Sequence, residues 1–303
     1  MTLDQASANL GISVIPECNA TLLVLPRLKD GDKLISPPRT LLVNCGEPVD
    51  SSASEREQRT TEIINLLFRH LPKVIPGQRT IDDIIVTDAS RDACGFLGEV
   101  METYGFGRVY YAGKLGDYTA DRVGQSTARW LHLQQRIDMQ AFSDSTYNLD
   151  SPTVFLEHGS TKIYIVAANF GVGLRGARSG IVVVVNHGST QLLLLGQAEK
   201  SALERLKGEY SKAVKNKSHV LVSGIATRVV IGRLPVREND VDKDPWPWSA
   251  EKLAEDNADW LVTAPGYTPG GAWTVRQLRR TDLKATDDSV VFASPGEFQK
   301  GAP

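Results

Sequence analysis

The chain is predicted to be an α+β protein in which two β-sheets pack face to face and carry helices on their outer sides. Three observations predict it. Each half of the chain contains several short β-branched or leucine-rich runs. In each half, helical periodicity appears among or after these runs. The 303 residues include 41 % hydrophobic ones, enough to bury a sizeable core.

In the first half, residues 20–28 (ATLLVLPRL) and 39–44 (RTLLVN) read as strands, with a hairpin turn between them in which Asp30-Gly31 supplies the positive φ. Cys45-Gly46 stops the second strand. Residues 54–71 predict a helix: a Ser cap, Glu55 and Glu57 in the first turn, then Ile63, Ile64, Leu67 and Leu71 on one stripe. Residues 72–77 end it. Residues 81–87 form a short apolar strand feeding a polar loop at 88–93. A helix at 96–104, a strand at 109–112 and a helix at 117–142 follow, the last with Trp130 and Leu133 inward.

The second half opens with strands at 153–157, 162–167, 181–185 and 191–195, turning at Gly159-Ser160 and at 186–189. Residues 198–214 predict a helix with Lys and Glu on its outer face. Strands at 219–223 and 260–264 flank a Pro/Trp loop at 242–248, and a short helix spans 273–280. The polar tail holds one short strand, 289–292. No repeat or low-complexity linker divides the chain. It is read as one domain, 1–303, with its core at about 15–280 and a polar extension at 281–303.

Thirty-four Lys and Arg against 36 Asp and Glu leave a net charge of -2, which argues against a uniformly basic nucleic-acid binder. Three cysteines imply no disulfide framework and favour a reducing compartment. The first 13 residues have neither a basic start nor an apolar centre, so no secretion signal is expected. The longest apolar runs, near 181–185 and 192–195, are too short to span a bilayer. A soluble, cytoplasmic protein without a membrane partner is the expectation.

Taken in order, residues 15–21 (IPECNAT), 43–46 (VNCG), 83–87 (DIIVT) with the DASRDACGF that follows, 179–214, 223–226 (SGIA) and 261–273 resemble the metallo-β-lactamase fold, specifically the branch found in ComEC-type DNA-uptake proteins. Residues 15–21 (IPECNAT) stand where that branch has its opening turn, and Val43-Asn44-Cys45-Gly46 stands where it has a strand ending in I-D-x-G. The strand 83–87 (DIIVT) leads into DASRDACGF, where the branch has T-H-x-H-x-D-H-x-G-G. Residues 179–214 match its apolar strand, turn, L-L-T-G-D strand and helix. Ser223–Ala226 falls at its H-H-G-S, and 261–273 at its closing strand. The resemblance covers about residues 15–280 and implies a four-layer αββα sandwich.

It also implies where the metals would sit, and there the chemistry departs. The family holds two zinc ions with imidazoles and carboxylates, lowering the pKa of a shared water. The matching positions here are Asp88, Ser90, Asp92 and Ala93, then Gln197, then Ser223 or Gly224. Only Asp92 is retained as a ligand type. Ala93 has no ligand atom and Gln197 cannot ionise. Asp88 and Asp92, four apart, would suit a shared Mg²⁺ or Ca²⁺ if a third acid joined them; otherwise Asp88 caps the loop and Asp92 accepts its backbone N–H groups.

Other candidates surround the same cleft. Cys18, Cys45 and Cys94 fall at strand ends beside it, as a thiolate site or as small apolar filler. Tyr267, with the tryptophan-rich loop at 242–248, Trp260 and Trp273, would line a cleft for a small apolar ligand or a partner's side chain. The histidines His70, His132, His158, His187 and His219 show no ligand spacing. His70 ends a helix where a cation is favoured, while His158 and His187 read as turn residues. Residues 171–176 (GVGLRG) lack the context of a phosphate loop, though Arg175 and Arg178 would suit an anion. Residues 207–217 gather four Lys and one Glu on a solvated face.

The sequence therefore predicts a pseudohydrolase with no metal and no cofactor, acting as a binding, regulatory or scaffolding subunit. The alternative is an enzyme that has reused the cleft for metal-free acid–base or nucleophilic chemistry on a small molecule. The pocket residues are Asp88, Ser90, Asp92, Cys45, Cys94, Gln197 and Tyr267. The partner would be a protein, a small ligand or a second copy of the chain, with nucleic acid only weakly supported.

Overall fold

The computed structural model describes residues 10–15, 18–30, 32–47, 52–73, 79–87, 89, 91–112, 139–142, 146–147, 152, 154–168, 180–196, 212, 215–216, 220–221, 223–224, 227–233, 260–264, 274–277, 293–294 and 297–298. Two mixed sheets dominate them.

The first sheet has the order β1 (Gly11–Ile15), β2 (Ala20–Leu25), β5 (Arg39–Val43), β6 (Thr80–Val86), β7 (Gly105–Ala112) and β8 (Met139–Phe142). Its first two pairings are antiparallel, and those from β5 to β8 are parallel. Parallel neighbours require crossovers, and helices supply those from β5 to β6 and from β6 to β7. Helix α1 (Ala53–His70) joins β5 to β6; the short α2 (Arg91–Cys94) and α3 (Leu97–Thr103) join β6 to β7. A small ribbon, β3 (Leu28–Asp30) with β4 (Lys33–Ser36), stands apart.

The second sheet runs β10 (Val154–His158), β11 (Thr161–Ala168), β12 (Ile181–His187), β13 (Thr190–Leu194), β14 (Thr227–Arg233), β15 (Trp260–Ala264) and β16 (Thr274–Gln277), with β9 (Thr146–Tyr147) also on β11. The pairs β13–β14 and β14–β15 are parallel, and the others are antiparallel. A two-residue pair, β17 (Ala293–Ser294) with β18 (Glu297–Phe298), stands outside both sheets.

Two cores define the layers. One lies between the sheets, where Leu23, Leu41, Val43 and Ile85 meet Ile163, Val183, Val185, Leu192 and Leu194. The other lies between the first sheet and its helices, where Leu22, Leu42, Ile84 and Val86 meet Ile63 and Leu67 of α1 and Leu97 and Val100 of α3. Alternate residues of one strand thus feed opposite cores, as the pleat requires. Val182 and Val184 of β12 are also buried, so the run 181–185 is apolar because both of its faces leave water. Helix, sheet and sheet are the three layers among the described residues.

Several expectations need correction. Residues 139–142, read as the end of a long helix, form β8, and 274–277, read as helix, form β16. In both, pairing with a neighbouring strand overrides local periodicity. Residues 220–221 and 223–224 are turns where a strand was expected; the strand lies later, in β14. Strand β1 was not foreseen, the hairpin turn expected around Asp30 joins the separate ribbon β3–β4 rather than β2 to β5 directly, and residues 91–94 form a helical turn at the end of the expected polar loop. His158 and His187 are buried strand residues rather than turn residues. His70 ends α1 as expected, and burial and then Arg69 push its pKa down. Residue 212 is helical, but most of the helix expected at 198–214, the remainder of that at 117–142 and the strand at 289–292 lie outside the described residues. No described helix is long and apolar enough to cross a membrane.

Candidate functional site

Strands β5, β6 and β13 end together. Gly196, just past β13, adopts φ +59, and a Cβ placed there would lie 2.8 Å from Thr87 Cγ2 at the end of β6. Asn44, just past β5, sits at φ 61, where an Asn tolerates the left-handed region better than most residues. Its Nδ2 donates to Thr87 Oγ1 at 2.9 Å, and Thr87 N donates to its Oδ1 at 2.9 Å. Both side chains are buried. The two strand ends are thus tied by a closed amide–hydroxyl pair.

Beyond Asn44 the chain bends along the segment that follows β6. Cys45 N donates to Ala93 O at 2.8 Å, Glu47 N to Arg91 O at 2.9 Å, and Phe96 N to Cys45 O at 3.0 Å. Gly46 N donates to Cys18 O at 2.6 Å. These bonds bring Cys18, Cys45 and Cys94 into one apolar cluster, each no more than 1 % exposed and none in a disulfide.

Over this segment lies a charged clasp. The buried Glu47 carboxylate accepts from Arg56 Nε of α1 at 3.1 Å and from Arg91 Nη2 of α2 at 2.5 Å. Arg56 also donates through Nη2 to Gly95 O at 3.1 Å and to Glu99 Oε1 at 2.5 Å, and its guanidinium lies 5.4 Å from the Phe96 ring centre. Burial alone would lower the Arg56 pKa, but Glu99 and Glu47 outweigh it and raise the net value. Gly95 is required here: a Cβ would overlap the Glu47 Cβ and lie 2.8 Å from Arg91 O.

A second charged group lies lower on β6, where Asp83 is enclosed. Arg39 Nε donates to its Oδ2 at 2.8 Å, and Arg108 Nε stands 3.4 Å from Oδ1. In the second sheet, fully buried His187 makes a 2.8 Å hydrogen bond between Nδ1 and Thr161 Oγ1.

Of the expected pocket residues, the structure brings Cys45 and Cys94 together at the ends of β5 and α2. Asp92 lies in α2, where only its backbone is described. Asp88, Ser90, Gln197 and Tyr267 lie outside the described residues. Sequence reasoning missed Asn44, Glu47, Arg56, Thr87 and Arg91. Asn before Cys-Gly at a strand end was a usable signal for a left-handed residue. Nothing local marked Glu47, whose partner Arg91 is 44 positions away.

Among the described residues no group of three or more His, Cys, Asp or Glu side chains is placed to hold a metal ion. The described donor set does not suit a zinc pair. Asn44 and Thr87 are engaged with each other, Glu47 with two guanidiniums, and Ala89 and Ala93 offer no ligand atom.

No protein-family model matches the chain. No curated protein matches it either. Among solved structures it is similar to CmlA, a diiron β-hydroxylase from Streptomyces venezuelae, at 13 % identity and TM-score 0.43, covering 85 % of this chain and 44 % of that one. The chain therefore spans less than half the length of the hydroxylase. It is similar to the metallo-β-lactamase fold protein YhfI from Bacillus subtilis at 14 % identity and TM-score 0.40, over 84 % of this chain and 85 % of that one. A metallo hydrolase from Ignicoccus hospitalis gives 9 % identity and TM-score 0.40, over 84 % and 82 %.

Proposed function

We propose that the chain is a metallo-β-lactamase-like protein without a zinc centre, acting as a binding, regulatory or scaffolding subunit rather than as a hydrolase. One observation carries the reading. The ends of β5 and β6, beside the loop 88–93 where the sequence resemblance would put the first metal ligands, carry protein groups that serve one another: Asn44 with Thr87, and Glu47 with Arg56 and Arg91. Zinc needs deprotonated or neutral donors with a free lone pair pointing inward. An amide held by a hydroxyl and a carboxylate held by two guanidiniums serve it poorly. The substitution of Ala93 and Gln197 at the resemblance's ligand positions points the same way.

Elemental analysis of the purified protein, as isolated and after incubation with zinc and desalting, tests the reading. Well under one zinc per chain is expected. One or two zinc ions retained per chain would overturn it. A thermal-shift series with small acids, nucleotides and lipids then tests the binding role, since a ligand of the native state raises the melting temperature.

A further inference from the structure

We propose that the ribbon β3–β4 is a twofold contact through which two copies of this chain pair, Leu34 and Ile35 of one copy packing on the same two residues of the other. The large apolar side chains exposed among the described residues are Leu34, Ile35, Phe68, Val154 and Val220, and only the first two adjoin. Leu34 is 51 % exposed and Ile35 48 %. Both belong to β4, which among the described residues pairs with β3 alone. Its other edge therefore offers unpaired backbone groups beside two apolar side chains, and such an edge is a template for another strand.

The root of the ribbon is held from the second sheet. Pro26 O and His158 Nε2 form a 2.8 Å hydrogen bond, and a Cβ on Gly159 would lie 2.6 Å from Leu28 Cδ2. Leu28 starts β3, so the turn between β10 and β11 meets this end of the ribbon while Leu34 and Ile35 stay open. A surface anchored in this way loses little freedom on binding. The charges around the apolar pair select its occupant. Lys29, Asp30, Asp32 and Lys33 lie on the same ribbon, two of each sign, and none of them makes an ion pair among the described residues. A partner of one sign would be repelled by half of them. A second copy turned about a twofold axis brings both signs with it, so lysines meet aspartates across the axis. The contact goes beyond the pseudohydrolase reading and stands whether or not the chain holds zinc.

Two short strands from each copy bury little area, so the pair should be weak, dissociated at about 1 µM and formed at about 500 µM. Sedimentation equilibrium of the full chain over that range tests it, and a monomer–dimer equilibrium is expected. Leu34→Glu with Ile35→Glu should weaken the dimer by about tenfold or more and leave the melting temperature unchanged, because both side chains lie at the surface. Lys29→Glu with Lys33→Glu makes all four of these ribbon charges negative, and Asp30→Lys with Asp32→Lys makes all four positive. Each variant alone should pair less well than the native chain, and an equimolar mixture of the two should recover the native affinity. If a variant fails to fold, carbodiimide cross-linking of native chains, half of them labelled with heavy nitrogen, reads the same contact. Amide links between Lys29 or Lys33 of one copy and Asp30 or Asp32 of the other are then expected. A chain monomeric throughout, a dimer that the glutamates leave intact, a mixture no tighter than its components, or links between copies that avoid the ribbon would sink the proposal. Growth beyond a dimer would also overturn it, since that is the mark of an open, head-to-tail contact.

Discussion

Asn44 and Thr87 are joined by two hydrogen bonds at the point where two parallel strands end. The amide of one gives a hydrogen to the other's hydroxyl and takes one from its backbone, both at 2.9 Å and both buried. Removing the amide strands two polar groups in the interior, and each costs about 1–3 kcal/mol when left without a partner. Asn44→Ala also puts a Cβ-bearing residue without a local hydrogen bond at φ 61. We expect a loss of about 3 kcal/mol in urea unfolding. Asn44→Gly keeps the backbone conformation and loses only the amide, so it should be the milder of the two. Equal losses would show that backbone conformation plays no part.

Gly196 holds the corresponding position in the second sheet. A Cβ there would lie 2.9 Å from Thr87 Cβ and 3.0 Å from Ile181 O, and the residue's φ of +59 disfavours a side chain in any case. Gly196→Ala must therefore move either β13 or Thr87. A drop of about 2 kcal/mol is expected. Crossing it with Thr87→Ser, which removes the Cγ2, should recover part of the loss. Additive losses would mean that the two positions do not meet.

The stretch from β5 through α1 to β6 was legible because three independent signals agree there. A Ser cap expected at the start of 54–71 with Glu55 and Glu57 in the first turn, the stripe of Ile63, Leu67 and Leu71, and apolar runs on either side indicate strand, helix and strand, although the structure sets the cap two residues earlier, at Ser52. β14 was not legible. Thr227–Arg233 (TRVVIGR) is short and bounded by arginines, and its place is decided by a parallel pairing with β13 that no local pattern announces. Residues 274–277 were misread for the same reason: their pairing with β15 makes them a strand.

The site divides in the same way. Cys45, expected at a strand end, lies just past β5, whereas Cys94, also expected at a strand end, closes the helical turn α2. Glu47 and Arg91 look like ordinary surface charges in sequence, and only the fold brings them to 2.5 Å. A buried ion pair built from distant positions leaves no periodic trace.

Ser52 offers a test of the legible part. Its hydroxyl donates to Glu55 Oε2 at 2.7 Å and its N–H donates to the same oxygen at 2.8 Å, which together lower the Glu55 pKa, while the hydroxyl oxygen accepts from Glu55 N at 3.4 Å. Ser52→Ala should lower the melting temperature by about 2 °C, the usual effect of losing one cap in a chain of this size. Ser52→Asp should restore most of it. If the alanine variant melts with the native protein, the cap contributes nothing to the folded state.

Asp83 gives a pH signature of opposite sign to ordinary acid denaturation. Burial raises its pKa above the unfolded value of 3.8, and the attraction of Arg39 and Arg108 offsets this only in part. Between 3.8 and that raised value the folded chain therefore holds more of this proton than the unfolded chain does. By linkage, the contribution of Asp83 is fully present below 3.8 and is lost as pH rises through the folded value. Asp83→Asn cannot titrate, so the native protein's stability relative to this variant should fall across that window and then level off. Urea midpoints of both proteins from about pH 3 to 7 measure the difference directly, with every other carboxylate common to the pair. A difference that instead grows with pH would mean that the two arginines overcompensate burial, and that the ion pair is a net source of stability at neutral pH.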